Sequence, residues 1–162
     1  MGCDSAIGNK LLNARCETVA QKPSFHSAFW QRRCLIPASG FYEWQKTGAG
    51  RKQPYFIRPC DGGLFALAGL WERWHDPRGE AVETYTIVTT EANELMRSLH
   101  KRMPVILDLA SEEVWLDPRA SADALRTFFV PFASDQMQAV AVGSWVSNPG
   151  HEGAQRLEPS SA

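Results

Sequence analysis

The sequence predicts an α+β fold, built on a curled, barrel-like mixed and mostly antiparallel β-sheet with short flanking helices. Short aromatic and β-branched runs recur through the middle of the chain between turn-rich stretches. Helical spacing appears only in brief segments on either side of them. Strands come in runs with helices interposed, where a parallel α/β sheet would alternate them strictly. The chain has 162 residues, 44% hydrophobic and 22% charged, enough to bury an ordinary globular core without a metal or disulfide staple. A single domain is expected over residues 1–146 and an irregular tail over 147–162.

The elements follow in order. Phe25, Ala28 and Phe29 recur at helical spacing behind Ser24 as N-cap, which predicts a short helix ending near Arg33. Strands are predicted at Cys34–Ile36, Gly40–Trp44, Tyr55–Ile57, Leu64–Trp71 and Glu83–Thr89, with turns over Lys46–Lys52, Pro59–Gly63 and His75–Gly79. This middle reads as an antiparallel meander. A helix over Glu91–Leu99 with Thr90 as cap follows from Ala92, Leu95, Met96 and Leu99 at i, i+3, i+4 and i+7. Met103–Leu107 reads as a strand, two short helices carry Ser111 and Ser121 as caps, and a last strand runs over Gln138–Val142.

Seventeen basic and eighteen acidic side chains give a net charge of −1. That excludes a globally basic nucleic-acid binder and leaves a local basic cleft open. Cys3, Cys16, Cys34 and Cys60 form no C-x-x-C pair, so no metal site, redox pair or cofactor is expected. Scattered thiols fit a reducing cytoplasm. No apolar run approaches the roughly eighteen residues of a membrane span, so no membrane contact is expected.

Three segments carry candidate chemistry. Glu43 stands within Phe41-Tyr42-Glu43-Trp44; a carboxylate among large rings loses hydration and suits proton transfer, and the same pattern suits a solvated glutamate on a half-exposed strand. His100 opens His100-Lys101-Arg102-Met103-Pro104, a loop able to grip phosphate beside a proton-shuttling imidazole, or simply to complement a helix dipole with positive charge. Asn13-Ala14-Arg15-Cys16-Glu17-Thr18 packs amide, guanidinium and carboxylate together, which fits either a site or a structural Arg–Glu pair. Arg32-Arg33 and Arg51-Lys52 read as solvated surface, and most of the six tryptophans as core.

Taken in order, Ile7–Thr18, Arg33–Trp44, Phe65–Glu72 and His100–Pro104 closely resemble the SOS response-associated peptidase (SRAP) family, over about Asp4 to Pro159. The resemblance implies a curled, barrel-like sheet with flanking helices. It also implies a task in the DNA-damage response: recognising abasic sites in single-stranded DNA and shielding them in a covalent DNA–protein crosslink. In that family the nucleophile is a cysteine made N-terminal by removal of the initiator methionine or a short leader, the self-processing step behind the name peptidase, and the crosslinking is lyase-type chemistry. Its α-amine attacks the open-chain aldehyde and its thiol closes a thiazolidine ring. An α-amine titrates at about 7.7–8.0 and so keeps a neutral fraction near pH 7, and amine and thiol on one residue favour ring closure.

Carried over position by position, Asn13 orients the amine, Glu43 acts as acid and base in ring opening and imine formation, and His100 assists proton transfer. Arg15 and Arg102 hold the phosphates flanking the lesion. The chain begins where the family's opening third has ended, so the Met-Cys-Gly-Arg start is expected to be missing and crosslinking impaired. Cys3 is a poor substitute, because removal of the initiator methionine exposes Gly2. Strands deprived of those first partners are expected to leave raw edges and favour self-association. The alternative is a non-catalytic single-stranded DNA-binding module that keeps Arg15, Arg102 and exposed aromatics. A conventional cysteine hydrolase ranks last, for want of a nucleophile in a recognisable setting.

Overall fold

A computed structural model of the chain describes residues 11–48, 50–76 and 78–159. Cys3 and the opening of the first motif, Ile7 to Lys10, lie outside them. In chain order the elements are β1 (Asn13–Arg15), α1 (Pro23–Gln31), β2 (Arg33–Ala38), β3 (Phe41–Lys46), β4 (Lys52–Pro59), β5 (Phe65–His75) and β6 (Ala81–Glu91). There follow α2 (Glu94–Arg97), β7 (Arg102–Pro104), β8 (Ile106–Leu107), α3 (Leu109–Leu116), α4 (Ala122–Arg126) and β9 (Met137–Ala141). Short helices beside a mixed, mostly antiparallel set of strands make this an α+β fold. The described residues gather into two compact units: one holds residues 11–37 with Ala66–Thr90 and Pro104–Pro131, the other Ala38–Phe65, Glu91–Met103 and 132–159.

In the first unit the strand order is β1-β6-β5-β2, with β8 on β5. β5 and β6 form a long antiparallel hairpin, and β1 lies parallel to β6. Alternation fixes the faces. Ala14 and its register partner Val88 are fully buried, with Leu70 beside them on the core side. Asn13 and Arg15 therefore turn to the open face, shared with Trp71 and Tyr85, themselves register partners on β5 and β6 and both exposed. Trp115 of α3 anchors the core at 0% exposure, between Phe29 and Phe129, with its indole N–H donating to the Cys34 carbonyl at 3.0 Å. Arg33, expected as solvated surface, instead donates to the carbonyls of Trp115 (2.6 Å), Asp117 (2.5 Å) and Phe29 (2.7 Å). It satisfies chain-end acceptors of α3 that a helix cannot pair itself.

The second unit carries an antiparallel sheet of order β3-β4-β9. Tyr42 and Trp44 pack on Phe56, Val142 and Val146. The expected meander is thus two hairpins in two sheets: β3 pairs β4 and β5 pairs β6. The tail is less irregular than expected, with one-turn 3-10 segments at Ser144–Ser147 and Ala154–Leu157 and a bridge between Val142 and Pro159.

Several caps differ from expectation. α1 starts at Pro23 with Lys22 at the N-cap and no side-chain cap, because proline already fixes the first helical φ. Asp108 caps α3 by accepting from the Ser111 N–H at 2.8 Å; the hydrogen bonds from Ser111 hold its carboxyl below the usual range. Ser121 caps α4 as expected. Thr90 belongs to β6, where it donates to the Phe129 carbonyl, and Asn93 caps the single turn of α2.

Gly40, immediately before β3, has no room for a side chain. A Cβ there would fall against the Ile57 carbonyl oxygen and within 2.5 Å of the Phe56 ring. Gly40→Ala should therefore cost about 1–3 kcal/mol, read as a melting temperature lower by roughly 2–4 °C per kcal/mol. An unchanged melt would show that the β3–β4 register does not depend on that close approach.

Candidate functional site

The second unit brings Glu43, His100 and Arg102 together. β3 alternates so that Glu43 shares a face with Gln45 and stands opposite Tyr55 of β4. Gln45 is held at both ends: its carbonyl oxygen accepts from the Tyr55 hydroxyl at 3.2 Å, and its amide donates to the Ser98 carbonyl at 3.1 Å. That second bond ties β3 to the segment leading into His100.

The same segment is fixed from behind by Asn93, a polar residue only 7% exposed. Its side-chain oxygen accepts the Met96 N–H at 2.9 Å, and its amide donates to the Phe132 carbonyl at 2.8 Å and to the Met137 sulfur at 3.1 Å. Its backbone N–H reaches the Met103 sulfur at 3.4 Å. The turn then closes with the His100 and Leu99 N–H groups donating to the Met96 carbonyl.

So placed, His100 Nδ1 lies 4.0 Å from Glu43 Oε2. Nδ1 is also 3.1 Å from both the amide nitrogen and the carbonyl oxygen of Arg102. A neutral ring with its proton on Nε2 accepts from the Arg102 amide, and a ring protonated at Nδ1 donates to the Arg102 carbonyl. Either tautomer of the ring therefore has a partner on the Arg102 backbone. Glu43 is one-quarter exposed and His100 about half, so a solvent-borne substrate can reach both. Arg102 also borders a cavity of about 340 Å³ with Glu91, Ala92, Arg97 and Lys101.

Asn13 and Arg15 lie on the open face of β1 in the first unit. Sequence reasoning missed Gln45 and Asn93. Gln45 follows Glu43 by two and so shares its strand face; Asn93 precedes Met96 by three, the spacing of a cap. Of the described cysteines, Cys16 is buried, Cys34 half-buried and Cys60 exposed. Burial as a small hydrophobe thus fits Cys16 but not Cys60, whose thiol faces the Asp135 carbonyl at 3.5 Å. Burial pushes the Cys34 thiol up from its ordinary value, which makes it a poor nucleophile at neutral pH.

Within the second unit a carboxylate on an antiparallel strand thus stands 4.0 Å from an imidazole seated on the Arg102 backbone. The chain matches the SOS response associated peptidase (SRAP) family over residues 2–149, and it belongs to that family. Among its relatives, the abasic site processing protein YoqW of Bacillus subtilis (strain 168) is 42% identical over 156 residues, 96% of this chain and 70% of the relative. The abasic site processing protein HMCES of Gallus gallus is 38% identical over 129 residues, covering 67% of this chain and 38% of the relative. A solved structure of a Bacteroides thetaiotaomicron protein superposes with a TM-score of 0.88 at 33% identity, covering 96% of this chain and 68% of that one. Among the described residues, no helix is long and apolar enough to cross a membrane.

Proposed function

We propose that this chain processes abasic sites in single-stranded DNA as part of the response to DNA damage, with Glu43 and His100 as its proton-transfer pair. The observation that carries the reading is the 4.0 Å approach of Glu43 to an imidazole held on the Arg102 backbone. An abasic sugar is stored as a closed hemiacetal, and opening it needs a base and an acid at once. The Glu43 carboxylate takes the proton of the C1′ hydroxyl, the C1′–O4′ bond breaks, and protonated His100 returns a proton to O4′. Nothing is consumed, and the aldehyde is free to react.

In the covalent step, a terminal amine adds to C1′ and water leaves as the imine forms. The thiol of the same residue then adds across the carbon–nitrogen double bond, its sulfur to carbon and its proton to nitrogen. Asn13 orients that amine. Cys16, Cys34 and Cys60 hold their nitrogens in peptide bonds and cannot close this ring, so the described residues supply the proton transfers and phosphate contacts, and not the nucleophile. Arg15 and Arg102 take the phosphates beside the lesion. We place this work in the cytoplasm, where scattered thiols stay reduced.

The test is fluorescence anisotropy with two single strands of one sequence, one bearing a central abasic site. The abasic strand should bind more tightly, and both affinities should fall steeply with salt. Equal affinity for the two strands would leave the second reading, a non-catalytic single-strand binder. That reading draws on exposed Trp71 and Tyr85, register partners on the face that also carries Arg15 and a stacking surface open to any base.

A further inference from the structure

Beside the proton-transfer pair lies the cavity of about 340 Å³ bounded by Glu91, Ala92, Arg97, Lys101 and Arg102, a volume at the small end of ligand sites, roughly 300–1,000 Å³. Three cations and one carboxylate surround it. Two of the cations, Arg97 and Lys101, are exposed; like charges at one opening repel each other, and an anion between them relieves that. The walls are joined before any ligand arrives: the Ala92 N–H donates to the Lys101 carbonyl at 3.1 Å, and Arg97 Nε donates to the Ala92 carbonyl at 3.3 Å. Ala92 itself is 2% exposed and forms a fixed floor. Anchored through Nε, the Arg97 guanidinium keeps its terminal nitrogens for a second partner, and a guanidinium fork beside a point-charge ammonium is a set of groups that suits a tetrahedral phosphate.

From this we infer that the cavity is a phosphate-binding site in which Arg97 and Lys101 jointly hold one backbone phosphodiester of the strand whose abasic sugar meets Glu43 and His100. The inference rests on the proposed abasic-site reading for the identity of the strand. It adds Arg97 and Lys101 to the contacts already assigned to Arg15 and Arg102. Lys101 adjoins His100 in the chain, and a phosphate flanks every sugar of a single strand, so an anion site next to the proton-transfer pair matches the repeat of its ligand.

The experiment measures affinity against salt for the full chain, with unmodified and abasic single strands. Arg97→Gln and Lys101→Gln should each weaken both strands equally, roughly three- to tenfold. The double variant should flatten the slope of log K against log salt by about 0.7, the value for one phosphate on a single strand. Arg97→Lys should keep the slope, and Arg58→Gln, an exposed charge on β4, should leave it untouched. Both targets are exposed, so thermal melts should match the parent chain. An unchanged slope in the double variant overturns the inference. So does protection of the parent chain against melting by inorganic phosphate with no change of slope, which would assign the cavity to a free anion. Failure of the abasic preference in the parent chain sinks the earlier reading alone, since the slope is read equally on the unmodified strand.

Discussion

Replacing Glu43 with glutamine should slow opening of the abasic sugar by about 10²–10⁴-fold, the usual contribution of a positioned acid or base. The readout is capture of the freed aldehyde by an excess of a small aminooxy probe on a single strand bound to the protein. It follows ring opening directly and does not require a protein nucleophile. Glutamine preserves the size of Glu43 and the oxygen that accepts the Trp44 N–H at 3.3 Å, but it cannot take a proton. His100→Ala should produce a similar loss, because the imidazole returns the proton that the carboxylate removes. Groups acting on one proton circuit are not additive, so the double variant should be hardly slower than either single one. Glu43 and His100 are both partly exposed, and neither change should move the melt much. Full capture by Glu43→Gln would end the acid–base assignment, whatever the strand affinity.

How much of this was legible in the sequence depends on the range of the forces involved. The strands of both hairpins were readable, because aromatic and β-branched alternation is a local signal, and only their ends moved: β5 extends to His75 and β6 to Glu91. The division into two sheets was not, since the parallel pairing of β1 with β6 joins residues more than seventy apart. The helix predicted over Glu91–Leu99 shrank to the turn Glu94–Arg97. Its spacing was sound, with Ala92 and Met96 buried, but β6 runs on through Glu91 and takes Thr90 with it. Arg33 misled for a related reason: a guanidinium looks solvated until distant carbonyls are brought to it. Glu43 and His100 entered as candidates from their neighbours, and the motif resemblance, not spacing, paired them. The residues that align them, Gln45 and Asn93, act on the Ser98 and Phe132 carbonyls, and an acceptor contributed by the backbone leaves no trace in residue type.

Asn93 carries the second large effect. A helix of four residues has no stability of its own, so α2 and the loop behind it exist because something external fixes their first turn. Asn93→Ala removes the cap on the Met96 N–H, typically about 1–2 kcal/mol. It also strips the half-buried Phe132 carbonyl of its donor, about 1–2 kcal/mol more. A loss of roughly 2–4 kcal/mol is expected, seen as a melting temperature lower by about 5–15 °C for a chain of this size. Asn93→Asp separates the two parts, since it keeps the acceptor for Met96 and loses the donors to Phe132 and Met137, and it should fall between. Because the His100 N–H hangs on the Met96 carbonyl at 2.8 Å, Asn93→Ala should also slow aldehyde capture well below its melt, where the chain is still folded. Melting within a degree or two of the parent chain would mean that packing of Met96 and Met103, rather than the buried amide, seats the imidazole beside Glu43.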